Sequence, residues 1–148
     1  MENYIINNNT IAILKRNNTT IIFDVKKTRV INKNIKKILD YNCNFYGSSL
    51  NGRKQSAGKL LKIHYKVPIV INKNIILLQL NGIKDKECLF IVLNKIIDYK
   101  YLNKNLHILC TNNQIFNSNI SKNSFEKMLV NSIKLNNILK WQKISNFV

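Results

Sequence analysis

Pairs and triplets of asparagine separate the apolar runs of this chain, and they constrain its fold more than any other feature of the sequence. Asparagine tolerates a positive φ angle, so it suits the tight turns that join antiparallel strands. Four such turns are predicted, at Asn7–Asn9, Asn17-Asn18, Asn72–Asn74 and Asn112-Asn113. The apolar runs beside them predict strands over Tyr4–Ile6, Thr10–Leu14, Thr19–Val25, Val67–Ile71, Ile75–Leu80, Leu106–Thr111 and Gln114–Ile120, with one or two more in Leu89–Tyr101.

Two segments in the first half of the chain have the 3-4 spacing of apolar residues that is typical of helices. The second of them runs from about Leu50 to Ile63. The first is Asn34–Tyr41, and its predicted apolar face consists of Ile31, Ile35, Ile38 and Leu39.

A third helix is predicted near the C-terminus. Near its start, Asn123 and Glu126 have the spacing of a capping box. A short frayed tail is expected after Trp141. Its apolar stripe consists of Phe125, Met128, Leu129, Ile133 and Leu139. The elements together predict a single α+β domain over residues 1–148, mainly antiparallel β-sheet with about three helices, including an amphipathic C-terminal helix.

The charge balance indicates a polyanionic partner. The chain has 24 Lys and Arg against 7 Asp and Glu, which gives a formal net charge of +17 at pH 7. Codons rich in A and T explain part of the lysine count, but not the shortage of acids, because Asp and Glu codons can also end in A or T. A surface of this kind attracts DNA, RNA or anionic lipid, and nucleic acid is the favoured partner.

The apolar stretches and the cysteines indicate a cytoplasmic protein with no membrane partner. The longest apolar stretches, Pro68–Leu80 and Cys88–Ile97, are too short to span a bilayer, and the N-terminus lacks the pattern of a signal peptide. The chain has three cysteines and no CxxC pair, which disfavours a zinc finger and a disulfide framework. The thiols of Cys43, Cys88 and Cys110 are therefore predicted to be small buried hydrophobic groups.

Catalytic and cofactor motifs are missing from the sequence. There is no Walker loop, no GxGxxG and no GxSxG, and His64 and His107 lie outside the spacing of a metal pair. Only Asp85 and Glu87 are close together among the acids. These absences predict a binding protein with no catalytic residue, metal or cofactor, and a small metal-dependent nuclease that uses the two acids remains an alternative.

The densest chemistry lies in Gly47-Ser48-Ser49-Leu50-Asn51-Gly52-Arg53-Lys54. Glycine allows a close approach of the backbone to a ligand, and hydroxyl and N–H groups at a helix start can bind phosphate. Arg53 is one of only three arginines in a lysine-rich chain, which favours a need for its planar guanidinium. The predicted DNA-binding residues are Ser48, Ser49, Gly52, Arg53, Lys54, Lys59 and Lys62.

The start of the second helix decides what Arg53 does. If the helix begins at Leu50, Arg53 and Lys54 share the face of the apolar residues and Arg53 becomes a buried clamp. If the helix begins nearer Gln55, the preceding segment is a loop and Arg53 is free to reach DNA. The sequence leaves both alternatives open, while Lys59 and Lys62 are predicted phosphate contacts in either case. The remaining basic clusters are predicted to be solvated faces.

Several blocks of the sequence resemble the ComK family of bacterial competence transcription factors. Cys43 to Lys54 reads C-N-F-Y-G-S-S-L-N-G-R-K and resembles the family's C-R-[FY]-[FY]-G-S-S-x-x-G-R. Lys62–Val70 is similar to K-I-S-H-K-P-P-I-M, and Ser121–Glu126 to S-x-N-S-F-E. Cys88, Phe90 and Ile91 resemble C-x-W-I, and the blocks keep the family's order from about Tyr4 to Leu139. The chain departs from the family pattern at Asn44, Tyr65, Val67 and Phe90.

The resemblance implies a DNA-binding activator of the genes for DNA uptake, rather than an enzyme. It implies dimers, or higher oligomers, on paired A-rich and T-rich boxes that are read largely from the minor groove. The implied partners are therefore AT-rich double-stranded DNA, a second copy of the chain and the transcription machinery, in the cytoplasm at the nucleoid. A non-specific RNA-binding or ribosome-associated protein is the alternative, since charge alone does not distinguish RNA from DNA.

Overall fold

The computed structural model describes residues 3–81 and 86–145. Its helices are α1 (Ile35–Phe45), α2 (Leu50–Leu61) and α3 (Lys122–Ser145). The strands in the first half of the chain are β1 (Thr10–Arg16), β2 (Thr19–Asp24), β3 (Thr28–Ile31), β4 (Ile69–Asn72) and β5 (Ile75–Gln79). They are followed by β6 (Glu87–Val92), β7 (Ile96–Leu102), β8 (Asn105–Cys110) and β9 (Ile115–Ser118).

The strands form two antiparallel sheets. Six of them make a sheet with the order β3-β2-β1-β6-β5-β4, and β7, β8 and β9 make a second sheet in sequence order. Asparagine residues occupy the predicted turns, and Asn17, Asn112 and Asn113 have φ angles between 56° and 61°. The predicted α+β class, with mainly antiparallel sheet and three helices, is confirmed.

The six-stranded sheet is covered on both faces, because successive side chains of a strand point to opposite sides. Phe90 of β6 packs on one side in a cluster with Ile35 and Leu39 of α1 and Leu50 of α2. Ile91 packs on the other side, with residues of β8, of β9 and of the start of α3. The helical layer of α1 and α2 thus has an outer surface that faces away from the second sheet.

The prediction of a strand at Tyr4–Ile6 is wrong. Both side chains are buried, but the segment forms no ladder with a neighbouring strand. Its backbone is paired by the side chain of Asn42 in α1, whose Oδ1 accepts from the Ile6 N–H at 2.7 Å and whose Nδ2 donates to the Tyr4 carbonyl at 2.9 Å. A side-chain amide therefore replaces the missing strand.

The boundary of the first helix also differs from the prediction. Ile31 belongs to β3, an edge strand that the sequence pattern did not indicate, and not to the helix. The N-cap of α1 is Asn34, whose Oδ1 accepts from the Lys36 N–H at 2.8 Å. Asn34 therefore caps α1, because its side chain accepts from a backbone N–H that would otherwise be unpaired.

The long C-terminal helix is present, but its cap and apolar face differ in detail from the prediction. Ser121 supplies the cap, since its Oγ accepts from the Ser124 N–H at 3.2 Å, while the Glu126 carboxylate accepts from the Tyr99 hydroxyl at 2.8 Å. Ile133 is 46 % exposed, so it lies outside the buried face. The tail predicted after Trp141 is helical as far as Ser145. No helix in the described part of the chain is long and apolar enough to cross a membrane.

Candidate nucleic-acid interface

The corner between α1 and α2 begins with a helix stop at Gly47. This glycine has a φ angle of +89°, a region that a side chain makes costly. Its N–H donates to the Asn44 carbonyl at 3.0 Å, and the next N–H, of Ser48, donates to the Cys43 carbonyl at 2.9 Å. This pair of bonds is a Schellman motif, which ends α1 and turns the chain toward α2.

The start of α2 is capped by two side chains. The Ser49 Oγ accepts from the Gly52 N–H at 2.9 Å, and the Asp40 carboxylate of α1 accepts from the Leu50 N–H at 2.9 Å. A Cβ on Gly52 would lie 3.0 Å from the Ser49 Oγ and 3.1 Å from the Ser48 Oγ. Glycine at this position therefore leaves room for both hydroxyl groups at the amino end of the helix.

Arg53 ties the two helices together. Because α2 begins at Leu50, the first of the two sequence alternatives describes the structure, and the segment before Gln55 is helical. The half-buried guanidinium donates from Nη2 to the Tyr46 carbonyl at 3.1 Å, at the last turn of α1. Its Nε is buried and has no hydrogen-bond partner. The arginine thus occupies a clamp position between the end of α1 and the first turn of α2.

Lysines cover the outer surface of the two helices, which is called here the α1–α2 face and is defined by Lys36, Lys37, Lys54, Lys59 and Lys62. Four of them are exposed and Lys54 is half-buried. Burial, followed by the positive charge of Lys36, lowers the pKa of the Lys54 ammonium. The two ammonium groups therefore repel each other, and a bound anion would relieve that repulsion.

No lysine of this face forms an ion pair with an acidic side chain in the described part of the chain. Within residues 3–81 and 86–145, the single ion pair joins Arg16 to Glu87 at 3.5 Å, on two strands of the large sheet. Asp40, the acid on α1, uses its carboxylate to cap α2 through the Leu50 N–H. The positive potential of the α1–α2 face is therefore available to an external anion.

The roles of Asp40 and of the Tyr46 carbonyl were not predicted from the sequence. A signal for the first was present, because Asp40 is the only acid between Asp24 and Asp85. An isolated acid in so basic a segment indicates a fixed structural partner. No comparable signal exists for the carbonyl group of Tyr46, since every residue carries one.

The described residues contain no candidate metal site for the alternative of a metal-dependent nuclease. They contain no group of three or more His, Cys, Asp or Glu side chains that could hold a metal ion. His64 is exposed on the loop after α2, and His107 is half-buried on β8. Glu87 pairs with Arg16, while Asp85 lies outside the described residues.

All three cysteines are buried and none of them forms a disulfide in the described part of the chain, and the Cys88 Sγ donates to the Asn81 carbonyl at 3.0 Å. Burial raises the pKa of the Cys110 thiol to about 11 and also raises the pKa of Cys43. A protonated and buried thiol is a poor nucleophile and metal ligand. The prediction that these three residues are buried is therefore confirmed.

Comparison with known families identifies the chain. The model of the ComK family, described as ComK protein, matches residues 1–144. No curated protein and no solved structure gives a significant match. The family model covers nearly the whole chain, and the matched region contains both helices of the basic face. The chain belongs to the ComK family, a family of competence transcription factors and not of enzymes.

Proposed function

We propose that this competence transcription factor activates its genes by binding paired A-rich and T-rich boxes, largely through the minor groove, with its α1–α2 face. The observation that supports the proposal is that this face carries five lysines, none of which forms an ion pair with an acid in the described part of the chain. Phosphate groups that approach the two helices would neutralise these charges and release counterions, which is the main source of affinity for DNA.

The preference for AT-rich boxes follows from groove shape. The minor groove presents A·T and T·A with nearly the same hydrogen-bonding pattern, so a protein there distinguishes mainly AT from GC. Runs of A·T pairs narrow the groove and make its potential more negative. A strongly cationic face with few acids is suited to this difference in potential.

The seven predicted DNA-binding residues divide into two roles in this proposal. Lys54, Lys59 and Lys62 neutralise phosphates, and the exposed pair Lys59 and Lys62 make the outer contacts. The corner residues Ser48, Ser49, Gly52 and Arg53 fix the amino end of α2 against α1, as their hydrogen bonds and packing support. They thereby fix the position of the α2 lysines relative to α1.

We further propose that the protein acts at the nucleoid, in the cytoplasm, as a single domain that assembles as a homodimer or higher oligomer on paired boxes. Two copies of one protein match two boxes in the same way that two-fold proteins match repeated half-sites. Contact with the transcription machinery would follow DNA binding.

Fluorescence anisotropy with two duplexes of equal length tests this proposal. One duplex bears paired A-run and T-run boxes, the other carries GC substitutions, and both are titrated over a salt series. We expect tighter binding to the AT duplex, with a log–log salt slope near −5 if about six phosphates are neutralised. Equal affinity for both duplexes and for RNA would instead favour the non-specific RNA-binding alternative.

A double variant, Lys59→Gln with Lys62→Gln, locates the interface. Each lost phosphate contact should reduce the magnitude of the salt slope by about 0.9. The matched control is Lys100→Gln, an exposed lysine on β7 in the second sheet, which should leave the slope unchanged. A slope that responds to the control and not to the double variant would place the DNA on the other side of the molecule.

A further inference from the structure

The loop that follows α2 has an uncommon backbone. Lys62, the C-cap of the helix, has a φ angle of 58°, and Lys66 has a φ angle of 49°. Non-glycine residues rarely adopt this left-handed region, and they persist there only where the surroundings hold them. Residues in such conformations are enriched at functional sites, and the segment 62–66 contains two of them.

Close contacts hold this loop at both ends. The Ile63 N–H donates to the Gly58 carbonyl at 3.1 Å, and a Cβ on Gly58 would lie only 2.8 Å from the Ile63 carbonyl oxygen. At the other end, the Lys66 Nζ donates to the Leu80 carbonyl at 3.1 Å. The loop is therefore tied to α2 and to the end of β5, and its tip has a defined position.

Tyr65 lies at the tip of this loop. It is 74 % exposed, more than any other large apolar side chain in the described part of the chain. The Lys66 Nζ lies 5.5 Å from the centre of its ring. Beside it is an open cavity of about 400 Å³ between the loop and α3, lined in part by His64 and Lys127. An aromatic ring is thus held out into solvent among basic side chains.

A large ring that is exposed beside basic groups offers a partner of opposite charge a flat apolar surface. The basic groups around the ring favour a nucleic acid, because a base offers a flat apolar face and its phosphate offers negative charge. Proteins of the minor groove insert apolar side chains between base steps, and A·T-rich steps such as TA unstack easily.

We propose that Tyr65 inserts its ring between base pairs at an AT-rich step, while the basic side chains beside it bind the adjacent phosphates. The inference rests on the proposed function, which it deepens by naming a residue that selects easily unstacked steps. Tyr65 lies three residues after Lys62, the C-cap of α2. The carboxyl end of α2 would therefore contact the phosphates through its lysines and the bases through Tyr65.

The test uses the AT-box duplex with 2-aminopurine in place of single adenines, because this base fluoresces more strongly when it is unstacked. The full-length protein should raise the fluorescence several-fold at one step or two. Tyr65→Ala should abolish the rise and weaken binding about tenfold, as expected for one lost stacking contact. Tyr65→Phe, which keeps the ring, should retain both properties.

Trp141→Ala is the matched control. Trp141 is also strongly exposed, at 67 %, but it lies 14 residues along α3 from Lys127, which corresponds to about 21 Å. The control should change neither the fluorescence nor the affinity. Circular dichroism of each variant checks that the fold is retained.

The outcomes separate this inference from the function on which it rests. If the protein prefers the AT duplex but no 2-aminopurine position responds, and Tyr65→Ala binds as tightly as the natural chain, the insertion is overturned and the proposed function stands. If the protein shows no preference between the two duplexes, the proposed function fails and the insertion fails with it.

Discussion

The two ends of α2 use polar residues in opposite ways. At the amino end, hydroxyl, carboxylate and guanidinium groups are engaged within the protein, with Ser49, Asp40 and Arg53 all hydrogen-bonded to backbone atoms. At the carboxyl end, the side chains of Lys62 and Tyr65 are exposed. The loop that carries them is held by the bond from the Ile63 N–H to the Gly58 carbonyl and by the bond from the Lys66 Nζ to the Leu80 carbonyl. The polar groups of the conspicuous motif at the amino end therefore hold the corner between α1 and α2.

The largest effect is expected from Arg53→Ala, which tests whether the amino end of α2 supports the fold. The substitution removes a charged hydrogen bond to the Tyr46 carbonyl, so we expect a loss of about 2 kcal/mol in the free energy of unfolding, measured with urea. Arg16→Ala is the control, because it removes only an exposed ion pair and should cost well under about 1 kcal/mol. Unchanged stability with a tenfold loss of DNA affinity would instead make Arg53 a direct DNA contact.

A smaller effect is expected from Ser49→Ala, which removes the side-chain acceptor for the Gly52 N–H at the start of α2. Loss of an N-cap of this kind costs about 1 kcal/mol of stability. Ser56→Ala, at an exposed position inside the same helix, is the control and should leave the urea midpoint unchanged or slightly raise it. Equal effects of the two substitutions would show that Ser49 does not cap the helix.

The smallest effect on stability is expected at Lys54, which lies within α2. Because its pKa in the folded protein is lowered from 10.5, the unfolded chain binds more protons as the pH approaches that value. Its contribution to stability therefore rises with pH through the folded pKa and levels off above 10.5. Lys54→Met should be more stable than the natural chain near pH 8, and the difference should shrink toward pH 10. A difference that stays constant with pH would contradict the shift.

The fold was largely predictable because its signals are local. The asparagine turns, the alternation along the strands and the spacing in the helices each depend on a few neighbouring residues. The strand predicted at Tyr4–Ile6 failed because its partner is the side chain of Asn42, far along the chain. The edge strand β3, Thr28–Ile31, was missed because it is short and mostly polar or exposed.

The geometry of the candidate site was not predictable from the sequence. Helical periodicity allowed α2 to begin at Leu50 or near Gln55, and the choice depends on contacts with Asp40 and Tyr46 across the corner. Tyr65 carried no signal beyond its departure from the family pattern, because exposure is a property of the folded loop. Long-range contacts therefore account for most of what the sequence left open.

The large sheet also tapers toward both of its margins. Its outermost strands, β3 and β4, have four residues each, whereas the four strands between them have five to seven. A short margin offers few free backbone groups to a neighbouring molecule. Edge-to-edge pairing between two copies of the chain is therefore less favourable at these short margins.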